Sequence, residues 1–279
     1  MKLVRYGERG REKPGVIDEN GALRDASAVA DDWRGAALSD DSLARLGKSE
    51  LPLVSGEAPR LGAPVADIGK IIGIGLNYRA HAAEAGLSPP EDPIIFIKSR
   101  DAVNGPNDDI VLPRGSVETD WEVELAVVFG KDGKYISRQD ALSHVAGYCV
   151  ANDVSERDYQ LRRGPQWTKG KSADTFAPLG PWLVTRDEVA TPQNLNMSLS
   201  LNGEQRQRGN TSDMIFPIVE LIARVSAYMT IRAGDVMITG TPPGVGLGAS
   251  PPRFLRPGDE LCLNIEGLGE QRAVVRASD

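Results

Sequence analysis

Short apolar runs rich in β-branched residues recur along the chain. Each is bounded by glycine, proline or other turn residues, and each is shorter than a typical helix, which is the pattern of buried strands. The runs occupy residues 71–74, 94–97, 121–129, 148–151, 182–185, 197–201, 235–239, 260–265 and 273–275. The sequence therefore predicts a fold in which strands dominate.

Helical patterns are less frequent. They occupy residues 39–46, 78–85, 137–145, 155–163 and 213–228. Ser137 with Asp140, and Ser155 with Asp158, resemble capping boxes in which Asp replaces Glu or Gln. Because strands outnumber helices and do not alternate with them regularly, the pattern favours an α+β fold over a doubly wound α/β sheet.

The chain divides into two regions of different pattern. Residues 1–65 alternate short apolar pieces with turn residues, and several prolines precede the apolar run that begins at Ile71. Prolines at such spacing mark turns and loops. We therefore predict a small, mostly β N-terminal domain of residues 1–65 and a larger domain of residues 66–279.

The composition of the 279 residues limits the class of protein. With 41% hydrophobic and 25% charged residues, the chain is typical of globular proteins. The formal net charge of -7 argues against nucleic acid or an anionic membrane as the main partner, although a local basic patch would still suit an anionic small molecule. No apolar run reaches the roughly 18 residues of a membrane span, and the polar N-terminal residues do not resemble a secretory signal. We expect a cytoplasmic protein.

Glu122 and Glu124 lie two residues apart inside a strand-like apolar run. A strand alternates its faces, so both carboxylates project to the same side. At roughly 5 to 7 Å, two such charges repel by about 2 to 3 kcal/mol, and a cation between them would reverse this. The pair therefore predicts half of a metal site. The alternative is a half-exposed strand whose acids face water.

A third acid, Asp153, ends the next strand-like run. Three carboxylates from two strands suit a hard divalent cation that keeps open positions for water and substrate. The chain has only two histidines, too few for the nitrogen-rich shell that zinc normally takes. Mg²⁺ or Mn²⁺ fits this set of ligands, and Ca²⁺ also fits.

Three further side chains suit catalysis. His81 and Glu84 lie three apart on a predicted helix, so the carboxylate would orient the imidazole as a general base for water. Lys171, in a loop rich in glycine, serine and lysine, would polarise a carbonyl or neutralise an enolate. The alternative for all three is that they are ordinary solvated surface residues.

Two other segments carry candidate substrate contacts. Arg157 and Gln160 lie three apart on the helix predicted after Asp153, and would share one face that could bind a carboxylate or hydroxyl. The alternative is that this face of the helix is simply solvated. The loop 239–246 offers backbone amides and the Thr241 hydroxyl to a substrate carboxylate. That loop lacks the lysine and spacing of a P-loop, which argues against nucleotide binding.

Six motifs follow one another between about Ile71 and the end of the chain. They are Asn77-Tyr-x-x-His-x-x-Glu84, Phe96-Ile-Lys98, Glu122-Val-Glu124, Asn152-Asp153-Val-Ser-x-Arg157-Asp158, Lys171-Ser-x-Asp-Thr175 and Thr239-Gly-Thr-Pro-Pro-Gly-Val-Gly246. Together they resemble the fumarylacetoacetate hydrolase family. Residues 1–65 take little part in the resemblance.

The resemblance implies a rolled, mixed β-sandwich of the α+β class, assembled as a homodimer with one Mg²⁺ or Mn²⁺ per active site. By motif, Glu122, Glu124 and Asp153 would be the metal ligands. His81 and Glu84 would activate water from a helix that orders over bound substrate. The remaining implied roles are oxyanion stabilisation by Lys171 and substrate binding by Thr241, Arg157 and Gln160.

The reaction that this resemblance implies is hydrolysis of a carbon–carbon bond in a 2,4-diketo acid, which is a small-molecule keto acid substrate. Residues 164–182 and 209–216 resemble the branch of 2,4-diketo-3-deoxy-sugar-acid hydrolases, whose members are often called ureidoglycolate lyases. Three alternatives stay open: an oxaloacetate decarboxylase, a ureidoglycolate lyase, and a non-catalytic metal-binding protein that keeps the fold as a structural module.

Overall fold

Strands dominate the computed structural model, which describes residues 1–164 and 166–278. The strands are β1 (Lys2–Tyr6), β2 (Lys13–Ile17), β3 (Leu23–Asp25), β4 (Leu61–Gly62), β5 (Ile71–Gly75), β6 (Ile94–Lys98), β7 (Val103–Asn104), β8 (Ile110–Leu112), β9 (Thr119–Asp120), β10 (Val123–Phe129), β11 (Val145–Asn152), β12 (Ser155–Glu156), β13 (Ala177–Thr185), β14 (Asn196–Leu201), β15 (Glu204–Asn210), β16 (Val236–Ile238), β17 (Glu260–Ile265) and β18 (Gly269–Ala277).

The helices are few and short. They are α1 (Asp40–Leu46), α2 (Arg79–Glu84), α3 (Arg157–Leu161), α4 (Thr168–Lys171) and α5 (Ile218–Tyr228), with 3-10 turns at Gly35–Leu38, Arg100–Ala102, Ala141–His144, Arg186–Glu188, Thr211–Asp213 and Gly246–Gly248. The predicted α+β class is confirmed. Among the described residues, no helix has both the length and the apolar character needed to cross a membrane.

Two mixed sheets carry most of the strands. The larger runs in the order β3-β2-β1-β13-β11-β10-β16-β5-β6, with β4 paired to β1 and β7 paired to β13. The smaller runs β15-β14-β17-β18-β8, and β9 pairs with β12 separately. Parallel pairs such as β16 with β5 occur beside antiparallel pairs such as β10 with β11, which makes the sheets mixed.

The core lies between the two sheets, where β10, β11 and β13 pack against β14, β17 and β18. Every residue of β10 and of β11 is buried, because both strands are central in their sheet and covered on their faces. Gln271 joins the two layers, since its side-chain amide donates to the carbonyls of Val150 (2.9 Å) and Gly180 (3.0 Å). The central strands therefore hold their end residues in a rigid, dry environment.

The N-terminal strands belong to the larger sheet. β1 pairs with β13 in antiparallel register, with Leu3 opposite Leu183. The Trp33 indole donates to the Val4 carbonyl at 2.8 Å, and both Leu3 and Trp33 lie in the same apolar cluster as the central strands. The division into residues 1–65 and 66–279 stays a prediction. Two residues of the chain, Pro165 in the segment 164–182 and Asp279 at the end of the second region, lie outside the described residues.

Three predicted helices differ from the structure. Over 213–228 the helix begins only at Ile218, after a 3-10 turn at Thr211–Asp213 and with Pro217 as its N-cap. Over 137–145 the Ser137 and Asp140 side chains make the expected capping contacts, but the chain forms only a 3-10 turn because β11 begins at Val145. Over 155–163 the helix begins two residues late, at Arg157, because Ser155 pairs with Asp120 in the small β9–β12 ladder. Over 137–145 and 155–163, pairing to a distant strand outweighs the local helical signal.

Candidate metal centre and active site

Three acidic side chains converge where β10 begins and β11 ends. Val123 and Asn152 are register partners, so the residues beside them are neighbours. The Asp153 amide donates to the Glu122 carbonyl at 2.9 Å. One carboxylate oxygen from each of Glu122, Glu124 and Asp153 lies within 4.8 Å of the other two, and all three side chains are buried. A wet strand face is therefore excluded as the explanation for these acids.

Two buried lysines contact this acidic cluster. The Lys171 ammonium lies 2.8 Å from Glu122 Oε2 and 2.6 Å from Asp153 Oδ2. Lys98 donates to Asp153 Oδ1, and to the Val154 carbonyl at 3.0 Å. Because each Asp153 oxygen has its own ammonium donor, the carboxylate is held in one orientation.

The surroundings give the two glutamates opposite protonation behaviour. Burial would raise the pKa of Glu122, but the charges of Lys171 and Arg157 outweigh burial and lower that pKa. Burial, with the nearby carboxylates of Asp153 and Glu122, raises the pKa of Glu124 well above its usual range. Within the described part of the chain, no ammonium or guanidinium group donates to Glu124, which accepts only the Gly240 amide. A divalent ion suits this set of oxygens, since it would supply the missing positive charge.

His81 and Glu84 form a hydrogen-bonded pair on α2. His81 Nδ1 lies 3.1 Å from Glu84 Oε2, and Glu84 Oε1 accepts the Gly244 amide at 2.9 Å. The imidazole is buried and lines the same pocket as the three acids. A carboxylate on Nδ1 favours the tautomer that leaves Nε2 free to accept a proton.

Arg157 links α3 to the acids. Its guanidinium donates to Glu122 Oε1 at 2.6 Å, to Asp120 Oδ2 at 2.9 Å and to Gln160 Oε1 at 2.9 Å. Asp120 in turn accepts the Gly246 amide at 2.6 Å. In this structure Arg157 fixes the position of Glu122, and substrate binding by Arg157 and Gln160 stays a prediction.

The Thr241 hydroxyl already has two partners. It donates to the Val123 carbonyl at 2.9 Å and accepts from the Gln207 amide at 2.7 Å. Gln207 also accepts the Val123 amide at 2.9 Å. The single hydroxyl hydrogen of Thr241 is therefore committed to the main chain, and its role on a substrate carboxylate stays a prediction.

A cavity of about 280 Å³ opens over these residues. All nine residues that the sequence singled out line it, namely His81, Glu84, Glu122, Glu124, Asp153, Arg157, Gln160, Lys171 and Thr241. The volume suits a small acid. The predicted site residues thus come from five separate segments of the chain and meet in one place.

A model of the C-terminal region of fumarylacetoacetate (FAA) hydrolases matches residues 70–276. The chain belongs to the fumarylacetoacetate hydrolase family. A relative from Burkholderia multivorans, named "Putative hydrolase", is 55% identical over the whole length of both chains. The family resemblance seen in the motifs is confirmed.

Solved structures of similar proteins include both hydrolases and isomerases. Maleylpyruvate hydrolase from Sphingobium sp. SYK-6, in complex with manganese(II) and pyruvate, is 30% identical with a TM-score of 0.82, and both chains are fully covered. A 5-carboxymethyl-2-hydroxymuconate delta-isomerase from Mycobacterium smegmatis is 33% identical with a TM-score of 0.80, again with both chains fully covered. The fumarylacetoacetate hydrolase family is therefore a family of enzymes with more than one reaction.

The sequence patterns alone assign no role to three residues that hold the side chains of this site in place. Lys98 carried a signal, since it is a charged residue at the end of an apolar run. Asp120 carried one as well, because it continues the two-residue spacing of Glu122 and Glu124. The sequence gives no such signal for Gln207, because the other residues of β15 are polar as well. Its side-chain amide reaches Thr241 only in the folded protein.

Proposed function

We propose that this protein hydrolyses a carbon–carbon bond in a 2,4-diketo acid and releases pyruvate and a second acid. The observation that carries the proposal is the convergence of the Glu122, Glu124 and Asp153 carboxylates in the same pocket as the His81–Glu84 pair. The similar structure of maleylpyruvate hydrolase, which contains manganese(II) and pyruvate, supports this proposal.

We further propose that Glu122, Glu124 and Asp153 hold Mg²⁺ or Mn²⁺. With Asp120, these acids make four carboxylates, and the contacting cations are three (Lys98, Lys171 and Arg157). One negative charge is therefore left over when all are ionised. A divalent ion together with one substrate carboxylate brings the total to zero, which favours binding of the two together.

Different residues of the chain would transfer the proton and stabilise the negative charge. Glu84 orients the imidazole, and His81 Nε2 takes a proton from the attacking water. The water oxygen adds to the C4 carbonyl, the C3–C4 bond breaks, and C4 leaves as the carboxyl group of the second acid. C3 takes the proton held by His81 and becomes the methyl group of pyruvate. Lys171 opposes the negative charge that develops on the substrate oxygens. When bound, the divalent ion supplies Lewis acidity to the 2-oxo acid.

Two other reactions use the same carboxylates. Oxaloacetate decarboxylation needs no attacking water, and neither that reaction nor ureidoglycolate cleavage gives His81 the role of a base for water. The position of the His81–Glu84 pair inside the pocket favours hydrolysis over both.

The test is a product assay on a panel of substrates. Purified protein is given acetylpyruvate, a 2,4-diketo-3-deoxy sugar acid or oxaloacetate, with pyruvate as readout, and ureidoglycolate with glyoxylate as readout, each with Mg²⁺ and with a chelator. We expect pyruvate from a 2,4-diketo acid, and only when the metal is present. Release of glyoxylate alone, or pyruvate from oxaloacetate alone, would overturn the hydrolase proposal.

We also propose a homodimer, on the basis of the family resemblance. Light scattering after size-exclusion chromatography measures the mass directly. A mass near twice the 30.0 kDa of one chain is expected, and a mass of one chain would contradict it.

A further inference from the structure

The pocket has an acidic floor and an apolar wall. Phe96 and Trp167 line the wall next to the floor, and the Lys171 ammonium lies 5.0 Å from the centre of the Phe96 ring. Leu87, Leu161, Val245 and Leu247 are among the other apolar side chains that line the pocket. Leu87 and Leu161 are about half exposed, at 53% and 48%, although they are large apolar side chains. Side chains of this kind at a pocket mouth suit contact with an apolar ligand.

Two glycines of β5 make room for the aromatic part of this wall. A methyl carbon on Gly73 would lie 2.2 Å from the Phe96 ring, and one on Gly75 would lie 2.3 Å from the Trp167 ring. The two rings lie 5.7 Å apart, centre to centre, and are tilted against each other. Because Gly73 and Gly75 are two residues apart, they clear the same face of the strand. The aromatic surface is thus built into the sheet.

The described lining offers no free cation to a second carboxylate. Its only lysine and arginine are Lys171 and Arg157, and both already contact Glu122. A carboxylate on the far end of a substrate would lose its water and gain no ion pair, which is unfavourable. A chain of hydroxyl groups against the same wall would also lose hydrogen bonds to water.

We infer that the group attached to C4 of the substrate is an uncharged alkyl or aryl group, and that Trp167 and Phe96 select it. This inference rests on the proposed function, since it describes the acyl half of the same 2,4-diketo acid. It separates this chain from a hydrolase of maleylpyruvate, whose acyl half ends in a carboxylate. It also separates the chain from hydrolases of polyhydroxylated sugar acids.

The first test compares three substrates that share the pyruvate half. They are benzoylpyruvate, acetylpyruvate and succinylpyruvate, which carry phenyl, methyl and carboxyethyl groups on C4, and kcat/KM is measured from pyruvate release with Mg²⁺. We expect the phenyl substrate to exceed the carboxyethyl substrate at least about tenfold. The opposite order would overturn this inference and leave the proposed function standing. No pyruvate from any of the three would overturn both.

The second test moves the preference with matched variants. Trp167→Ala should lower the ratio of phenyl to methyl kcat/KM at least about fivefold, and Trp167→Phe should restore part of it. Tyr135→Ala, which removes an aromatic ring that is 75% exposed and outside the pocket, is the control and should leave the ratio unchanged.

A third variant adds the charge that the wall lacks. Leu161→Arg places a cation at the pocket mouth and should raise the ratio of carboxyethyl to phenyl kcat/KM, and Leu53→Arg, at a site of similar exposure outside the pocket, should not. Both sites are exposed, so these variants keep the inference testable if Trp167→Ala does not fold. An unchanged ratio in Leu161→Arg would overturn the assignment of this wall to the substrate tail.

Discussion

At the scale of single residues, Glu122 and Glu124 do different work although they share a strand face. Glu122 accepts from Lys171 at 2.8 Å and from Arg157 at 2.6 Å, so it bridges two buried cations. Glu124 accepts one backbone amide, from Gly240 at 2.7 Å. Glu122 therefore supports the fold as well as the proposed metal, whereas the role proposed for Glu124 is mainly that of a metal ligand.

The first prediction separates these two roles. Glu122→Gln and Glu124→Gln should each weaken Mg²⁺ binding at least about tenfold, because each removes a charged ligand. Without metal, Glu122→Gln should also lower the free energy of unfolding by about 2 to 4 kcal/mol, since Lys171 and Arg157 each lose one of their two carboxylate partners. Glu124→Gln should leave that free energy equal or higher, because it removes a buried, repelled charge.

Calorimetric titration with Mg²⁺ and urea unfolding in the presence of a chelator measure the two effects. Asp187→Asn, at a carboxylate outside the pocket, is the control for the loss of one acid. Unchanged Mg²⁺ affinity in both glutamine variants would refute the metal site. Equal destabilisation by both would refute the division of roles.

The second prediction concerns His81. His81→Ala should reduce hydrolysis of a 2,4-diketo acid by about a hundredfold or more, because the water loses its base. Any metal-dependent oxaloacetate decarboxylation should persist, and Mg²⁺ affinity should not change. Pyruvate release from both substrates is the measurement. Parallel loss of the two activities would contradict the role of His81 as the base for water.

The residues of the site could be predicted from the sequence where a charge interrupts an apolar run. Glu122, Glu124 and Asp153 stand out in this way, and their order along the chain matches the family motifs. The Asp120–Arg157 contact could not be predicted, because 37 residues separate its ends. Such contacts depend on which strands become neighbours in the fold, and the spacing of residues within one segment does not predict this.

At the scale of elements, the glycines of β5 are required by the aromatic rings that pack over the strand. Gly73 lies opposite Phe96 on β6, and the ring occupies the space that a side chain would fill. The strand was predicted from its isoleucines, whereas the purpose of its glycines appears only once β6 and the loop carrying Trp167 are in place. The local sequence thus predicts that β5 is a strand, but it does not predict which of its positions must lack a side chain.

The third prediction follows from this contact. Gly73→Ala should lower the free energy of unfolding by about 2 to 3 kcal/mol, since the new methyl group would displace the Phe96 ring. Gly47→Ala is the matched control, because a methyl group there meets its nearest neighbour at 3.7 Å, and it should change that free energy by less than about 0.5 kcal/mol. Urea unfolding measures both variants. Equal stability of the two would show that the Phe96 side chain yields at no cost.

At the scale of the whole molecule, the N-terminal strands complete the larger sheet. β1 covers the edge of β13, and β13 in turn pairs with β11, whose end carries Asp153. Sequence patterns suggested a separate N-terminal unit, since apolar pieces there are short and turn-rich. A pattern of this kind predicts short strands and turns, but it does not predict which sheet those strands join.

The fourth prediction tests how the two regions depend on each other. A chain reduced to residues 66–279 should lose cooperative unfolding, because removal of β1 exposes the edge of β13 and deletes Leu3, Trp33 and Leu38 from the shared core. The full chain should unfold in a single calorimetric transition. Two separate transitions, or a stable and active 66–279 chain, would contradict this expectation and support two independent domains.

Glu84 connects α2 to the loop that follows β16. One oxygen of this carboxylate holds the imidazole of His81, and the other holds the Gly244 amide in the loop after β16. We expect that a displacement of α2 from that loop would break the second contact and remove one of the two constraints on the carboxylate. Glu84 thus ties the orientation of the His81 imidazole to the position of the loop after β16.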